Sequence, residues 1–305
     1  MDLKDLELLT HLSHHGRWGG NVLSSMVTLS EGNIDRRIRL LQKEGYILKF
    51  SAFFDRRMFG YDTTYIKAFV ENRSRDRIIA GIMNMPQVAS VYPNMDDFMI
   101  IEVVHWDRSS LKAAVGAVGR LISPMTVTGT YTPKLPDMIP EVPDRSILLL
   151  IDCLINDGRA DPELVSELTG IPSGDVNERI RRLENGGMVS IRTLIREEEV
   201  QPFPCFSIIV TFDDSADLST GINRVNKVSK GVWHSEILMR PAGIWLRCFG
   251  EDLYAMDDSL ERLRRIEYVR DVMVILPDGV EVNRSVDRNI LKRYIDHGPE
   301  AEMAL

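Results

Sequence analysis

Arg36, Arg39 and Lys43 recur three and four residues apart in the stretch "GNIDRRIRLLQKEGYI", which begins at Gly32. At about 100° per residue they fall on one side of a helix, with Ile34, Ile38 and Leu41 on the other. A cationic row of this kind neutralises phosphates, and a guanidinium also meets a guanine edge bidentately. The carboxamide of Asn33 does the same for adenine. Gly32 permits close backbone approach, and Ser30 is placed to cap the helix. Arg37 lies nearer the apolar stripe, where its stem packs and its head reaches a phosphate. The candidate contacts to double-stranded DNA are therefore Ser30, Gly32, Asn33, Arg36, Arg37, Arg39 and Lys43, with Arg56 and Arg57 as further phosphate ligands. The plainer alternative is a solvated charged face. Glu31 and Asp35 weaken the patch, so binding by one copy is expected to be modest and salt-dependent.

The same stretch returns 142 positions later as "GDVNERIRRLENGGMV", from Gly174. At that offset Gly16, Arg17, Gly32, Arg37, Ile38, Arg39, Leu41 and Gly45 face Gly158, Arg159, Gly174, Arg179, Ile180, Arg181, Leu183 and Gly187. An internal repeat of this length reads as a duplication. The copies differ where DNA would be met. Glu178 replaces Arg36, and a carboxylate repels phosphate. Residues 1–60 carry nine basic and seven acidic side chains, whereas residues 144–200 carry seven and twelve. The second copy is read as a weak DNA binder, or as a structural or protein-contact element.

Positioning these helices requires two sets of elements. Helical spacing of Leu6, Leu9 and Leu12, a stop at Gly16, a short helix at Val22–Val27 capped by Asn21, and the helix after Ser30 make a helix-turn-helix. The strand "YILKFSAFF" then supplies a wing. Strand, helix, strand, strand, helix, strand follow, a ferredoxin-like βαββαβ order. The fold class expected is α+β, in two tandem units. The boundaries are 1–60 for the first winged helix-turn-helix and 61–132 for the first sensor domain. A proline-rich linker spans 133–143. The second winged helix-turn-helix covers 144–200 and the second sensor domain 201–283. A C-terminal helix and tail, 284–305, close the chain, with the tail expected to be disordered.

Composition narrows the classes. The net charge of −8 requires any nucleic-acid binding to come from a local patch. Cys153, Cys205 and Cys248 lack paired spacing and read as buried thiols of a reducing cytoplasm. No membrane span and no signal peptide are expected. His14 and His15 end a helix, where dipole compensation outweighs metal ligation. No metal site, cofactor, phosphate loop or nucleophile elbow is expected.

The pattern "LSEGNIDRRIRLLQKEGYILKFSAFFDRRMFGY" resembles the Lrp/AsnC (feast/famine) family of transcriptional regulators, and residues 171–200 resemble it through Val189. The resemblance implies a DNA-binding regulator that is not an enzyme and that dimerises through its ferredoxin-like domains. Two fused units would form an intramolecular pseudo-dimer and assemble into homo-oligomers. It also implies an amino-acid-like effector between sensor domains, near Tyr92, Asp97, His234 and Arg240. Asp97 matches the family's G-x-x-D segment in "PNMDD", although a loop aspartate is more often a turn residue. Siroheme decarboxylases share this architecture and are the enzymatic alternative. Their histidine- and arginine-rich run after the second sensor strand has no match in "VASVYPNMDD", and only His234 and Arg240 in "VWHSEILMR". A third reading is a non-DNA-binding partner of another regulator.

Overall fold

The computed structural model describes residues 1–70, 75–122, 127–133, 142–196, 199–200, 202–213, 217–228, 232–250, 252–277 and 279–300. Most of the proline-rich linker, Glu197, Glu198 and the last five residues lie outside them. These residues divide into two compact units: those within 1–58, 142–200 and 291–300 form one, and those within 59–133 and 202–290 the other.

The first unit holds both helix-turn-helix sets. Helices α1 (Leu3–His14), α2 (Gly20–Leu23) and α3 (Glu31–Lys43) precede strand β1 (Ile47–Phe54), and a 3-10 turn follows at Arg56–Phe59. Later in the chain, α6 (Arg145–Asn156), α7 (Pro162–Thr169) and α8 (Ser173–Asn185) precede β6 (Val189–Ile195). Leu8, Leu9, Leu12, Leu23, Ile34, Ile38 and Leu41 pack into one apolar core with Phe50. Asp2 opens α1 by accepting from the backbone of Lys4 and Asp5. Asp161 accepts from Glu163 N to open α7, with Pro162 in its first turn, and Gly170 closes it at φ +76°. The short second helix starts at Gly20 rather than Val22, and its cap is Gly19, not Asn21.

The wing differs from expectation. β1 pairs with no strand of its own set; it runs antiparallel to β6, with Phe50 opposite Thr193 and Ala52 opposite Ile191. A lone strand would leave a row of backbone groups unpaired, and each set cures the other's deficit. The backbones come close enough to need glycine on both sides. A Cβ on Gly158 would sit 2.7 Å from Ile191 Cγ2 and 3.0 Å from Ser51 N, and one on Gly16 3.0 Å from Arg192 C. Gly16 N donates to Ile191 O (2.7 Å) and Gly158 N to Phe50 O (2.9 Å). Gly16 therefore serves packing; α1 already ends at His14, with His15 as its cap. Thr193 Oγ1 donates to Leu12 O (2.9 Å) and Ser51 Oγ to Ile155 O (2.7 Å). Each shared strand thus satisfies a last-turn carbonyl of the other set's helix.

The second unit is one nine-stranded sheet. β2 (Asp62–Phe69), α4 (Arg75–Met83), β3 (Val88–Pro93), β4 (Phe98–His105), α5 (Arg108–Ile122) and β5 (Val127–Pro133) form the first βαββαβ set. β7 (Cys205–Phe212), α9 (Leu218–Val228), β8 (Val232–Arg240), β9 (Gly243–Phe249), α10 (Leu253–Arg264) and β10 (Val269–Ile275) form the second. The α+β class expected from the sequence is what the chain adopts. The strand order is β10-β7-β9-β8-β5-β2-β4-β3-β11, where β11 (Glu281–Val282) is a short edge strand that sequence reading missed. The sets join where β5 meets β8, Thr132 opposite Arg240. Asn94 forms an isolated bridge with Pro277, and its Oδ1 accepts from Leu276 N at 2.6 Å. Helix α11 (Ser285–His297) follows.

Side-chain alternation divides the strands between two cores. Ile66, Ala68, Met99, Ile101 and Val103 pack with α4 and α5, as do Ile208, Val210, Ile244 and Leu246 in the second set's own core. Their neighbours of opposite parity, Tyr65, Ile100, Ile209 and Trp245, meet in a third core shared by both sets, with Leu238 and Ile275. Tyr65 and Tyr92 both meet Trp245 edge-on, at 4.7 and 5.4 Å between centroids.

Two measurements follow. Gly158→Ala should lower the unfolding free energy by about 1–3 kcal/mol through overpacking. Gly174→Ala, on an exposed helix face with no atom within 4 Å of the new methyl, should raise it by roughly 0.5–1 kcal/mol. Equal effects in denaturant titrations would refute the close approach. Buried His105, whose Nε2 lies 3.0 Å from Thr64 Oγ1, sets the second. Burial pushes its pKa below the ordinary 6.5, against the opposing pull of Asp62 and Asp107. The unfolded chain therefore takes up this proton first, and stability is lost as pH falls below about 6.5. His15, partly covered, is shifted the same way by desolvation and then by His11, but solvent screening leaves it little weight. The depressed carboxylates Asp2, Asp107, Asp144 and Asp217 lose theirs only below 3.8. Unfolding free energy should fall between pH 7 and 5, and His105→Gln should flatten that slope.

Candidate nucleic-acid interface

Helix α3 forms because Ile34, Ile38 and Leu41 bury one stripe, and it ends at Gly45, whose φ of +84° is accessible to glycine. What remains outward is the candidate interface. Asn33, Arg36, Arg39 and Lys43 are exposed. Among the described residues no carboxylate lies within ion-pair distance of Arg36, Arg39 or Lys43. A Cβ on Gly32 would meet nothing within 4 Å, so the helix start is open to a close-lying surface. The acids that weaken this patch lean away from it. Glu31 Cγ and Asp35 Oδ1 would lie 2.7 and 3.0 Å from a Cβ on Gly20, so both fold over α2.

Two expected contacts are placed otherwise. Ser30 occupies the N-cap position, but its hydroxyl makes no capping bond. Arg37, expected to reach a phosphate, is engaged by carboxylates of α1's start. Its Nη1 binds both oxygens of Asp2 at 3.0 Å and Asp5 Oδ1 at 2.6 Å, which raises its pKa. The capping box of α1 thus holds Arg37 as a clamp between α1 and α3. Arg57 is likewise held by Asp55, two residues earlier.

Helix α8 repeats the scaffold and not the surface. Val176, Ile180 and Leu183 are buried in the matching places. Glu178 Oε2 accepts from Arg181 Nη2 (2.6 Å) and Nε (2.9 Å), and Oε1 accepts from Arg182 Nε (2.9 Å). Those bonds, Arg181 first and then Arg182, depress the Glu178 pKa and keep it anionic. The two arginines on this face are therefore already paired.

Sequence reading missed what Arg17 and Arg159 do. Arg17 donates to Gly158 O and to Asn177 Oδ1 on α8, both at 2.9 Å. Arg159 returns the gesture to Gly16 O (2.7 Å) and Trp18 O (3.1 Å), with its guanidinium 3.7 Å from the centre of the Phe50 ring. Their identity across the repeat, in a place with no outward face, was the available signal.

The expected effector residues lie in the other unit. Tyr92 packs on Trp245 with the Arg247 guanidinium 5.7 Å from its ring centre. His234 stands opposite Arg247 in the β8–β9 ladder. Asp97 is exposed at the β3–β4 turn, where its carbonyl accepts from Val70 N at 2.7 Å. Arg240 is exposed at the far end of β8. The aromatic group around Tyr92 thus draws in Arg247 and Trp245, which sequence reading did not single out. No cluster of metal-ligating side chains occurs among the described residues, and none of their helices is long and apolar enough to cross a membrane.

Residues 143–190 match a family model described as winged helix-turn-helix DNA-binding. The HTH-type transcriptional regulator FL11 of Pyrococcus horikoshii is 25% identical over 134 residues, 43% of this chain and 87% of that protein. The siroheme decarboxylase NirDL matches in structure at a TM-score of 0.57 and 13% identity, over 96% of this chain and 100% of that one. NirDL in complex with an iron-uroporphyrin III analogue matches at 0.54 and 15%, over 97% and 99%. This overturns the expectation that the chain is not an enzyme. Both of these solved structures, which share its fold over nearly the whole length, are of a decarboxylase, so the architecture gives no ground for excluding catalysis. In fold, a helix-turn-helix set precedes a ferredoxin-like βαββαβ set, and a second copy of the same elements follows.

Proposed function

We propose that the chain is a DNA-binding transcriptional regulator that reads DNA chiefly through α3. One observation carries this reading. Arg36, Arg39 and Lys43 stand exposed with no carboxylate partner among the described residues, while the equivalent face of α8 is neutralised from within by Glu178. Phosphate neutralisation needs cations that surrender water rather than an existing salt bridge. The regulator among the relatives supports the same class, as does the winged helix-turn-helix match, which falls on residues 143–190 and so supports DNA binding by the fold rather than by α3 itself. Asn33, Arg36 and Arg39 are assigned to base edges or phosphates, Lys43 to phosphate, and Gly32 to the point of close approach. Replacing Arg36 and Arg39 with alanine should weaken binding and lower the slope of log affinity against log salt by about two. Arg181→Ala should leave the slope unchanged, and an equal loss from both variants would sink the asymmetry. In the sensor unit, a small amino-acid-like effector is assigned to the surroundings of Tyr92 and Arg247. A ligand screen by thermal shift tests it, with Arg247→Ala abolishing any response.

A second reading rests on the likeness to NirDL along nearly the whole chain. Under it the sensor unit would bind a siroheme-type tetrapyrrole and remove carboxylate groups as carbon dioxide. Anaerobic incubation with siroheme, followed by mass spectrometry of the pigment, decides: decarboxylated product would displace the regulator reading, and unchanged pigment would remove this one.

A further inference from the structure

The acidic character of the second helix-turn-helix set has its own geometry. On α7, Leu164 and Leu168 are 50% and 57% exposed, one turn apart on the same face. Glu163 and Glu167, both exposed, run alongside them, and Asp161 stands at the helix start. The result is an apolar stripe bordered by carboxylates.

Its complement is on α3. Leu40 is 48% exposed between Arg36 and Lys43, on their side of the helix, with Arg39 adjacent. This stripe is apolar and bordered by cations. Neither feature recurs in the other set. The places of Glu163 and Glu167 are held by Asn21 on α2 and by Ser25 in the turn after it, beside the exposed Val22 and Met26. The place of Leu40 on α8 is held by Arg182, which is bound to Glu178. Apolar-with-acid occurs on α7 and apolar-with-base on α3, so the two surfaces suit each other and neither suits its own kind.

We propose that α7 is a docking surface for α3 of a second copy of this chain. Leucines from both copies are buried at the centre, and Arg36, Arg39 and Lys43 face Glu163, Glu167 and Asp161 at the rim. Charge complementarity of this sort sets register and partner choice, and the small apolar centre makes the contact weak and salt-sensitive. The contact joins unlike surfaces. It covers the arginines assigned above to DNA, so self-association and DNA binding exclude one another; the association itself does not depend on the DNA reading.

The test is sedimentation of the full chain without DNA, over a concentration series at low and high salt. Mass should rise with concentration at low salt and fall back in high salt. Leu164→Ser with Leu168→Ser should weaken association at least tenfold, as should Arg36→Glu with Arg39→Glu. Adding Glu163→Lys and Glu167→Lys to the latter should restore it, since the charges are then exchanged. Val22→Ser with Met26→Ser should leave it intact. A monomer under all conditions, association indifferent to the α7 leucines, equal loss from the α2 variant, or failure of the charge exchange to rescue would each overturn the proposal. Gel shifts on the same proteins keep DNA binding separate, because the α7 variants retain α3 unchanged.

Discussion

The antiparallel pairing of β1 with β6 is the constraint on which the first unit depends. Each helix-turn-helix set ends in a single strand, and a single strand cannot satisfy its own backbone. Pairing the two brings main chains so close that Gly16 and Gly158 have no room for a methyl group. That closeness lets Arg17 and Arg159 reach across to carbonyls of the opposite set. Removing one strand would therefore expose the other's hydrogen-bonding groups, uncap two helices and leave two arginines without partners. The repeat of Gly-Arg at both positions records this mutual requirement.

The second unit uses the same logic with side chains. Each βαββαβ sheet covers one face with its own helices and leaves the other apolar. Tyr65 and Ile100 from one set and Ile209 and Trp245 from the other close that face into a shared core. Both sets also continue one sheet through β5 and β8. In each unit, then, an element incomplete within one set is completed by the other.

This frees the two sets to differ where they face outward. Fold requirements fall on buried stripes and glycines, which the repeat preserves. The exposed faces carry no such requirement, so α3 can present unpaired cations while α8 spends its arginines on Glu178. The acidic border of α7 belongs to the same divergence, and it lies beside exposed leucines rather than being spread over a solvated surface.

Much of this was legible in the residues alone. Helical and strand periodicities located the elements, because burial of one face imposes spacing of 3.6 or 2 on any sequence. The fixed offset of 142 exposed the two sets, and wheel geometry separated Ile34, Ile38 and Leu41 from Arg36 and Arg39. Other features depend on contacts between residues far apart in the chain, which no local spacing encodes. Sequence placed Arg37 beside Arg36 and Arg39 as one more phosphate ligand; only packing of α1 on α3 brings Asp2 and Asp5 to it. Sequence read β1 as a wing; only the partner strand 142 positions away decided what it pairs with. Sequence pointed to Tyr92, and only the face-to-face closure of the sheets set Trp245 and Arg247 beside it. Local pattern determined which elements form and which way they face, because that depends on neighbours a few residues away. Tertiary structure decided which charges stay free for a partner, because that depends on what the rest of the chain brings within a few ångströms.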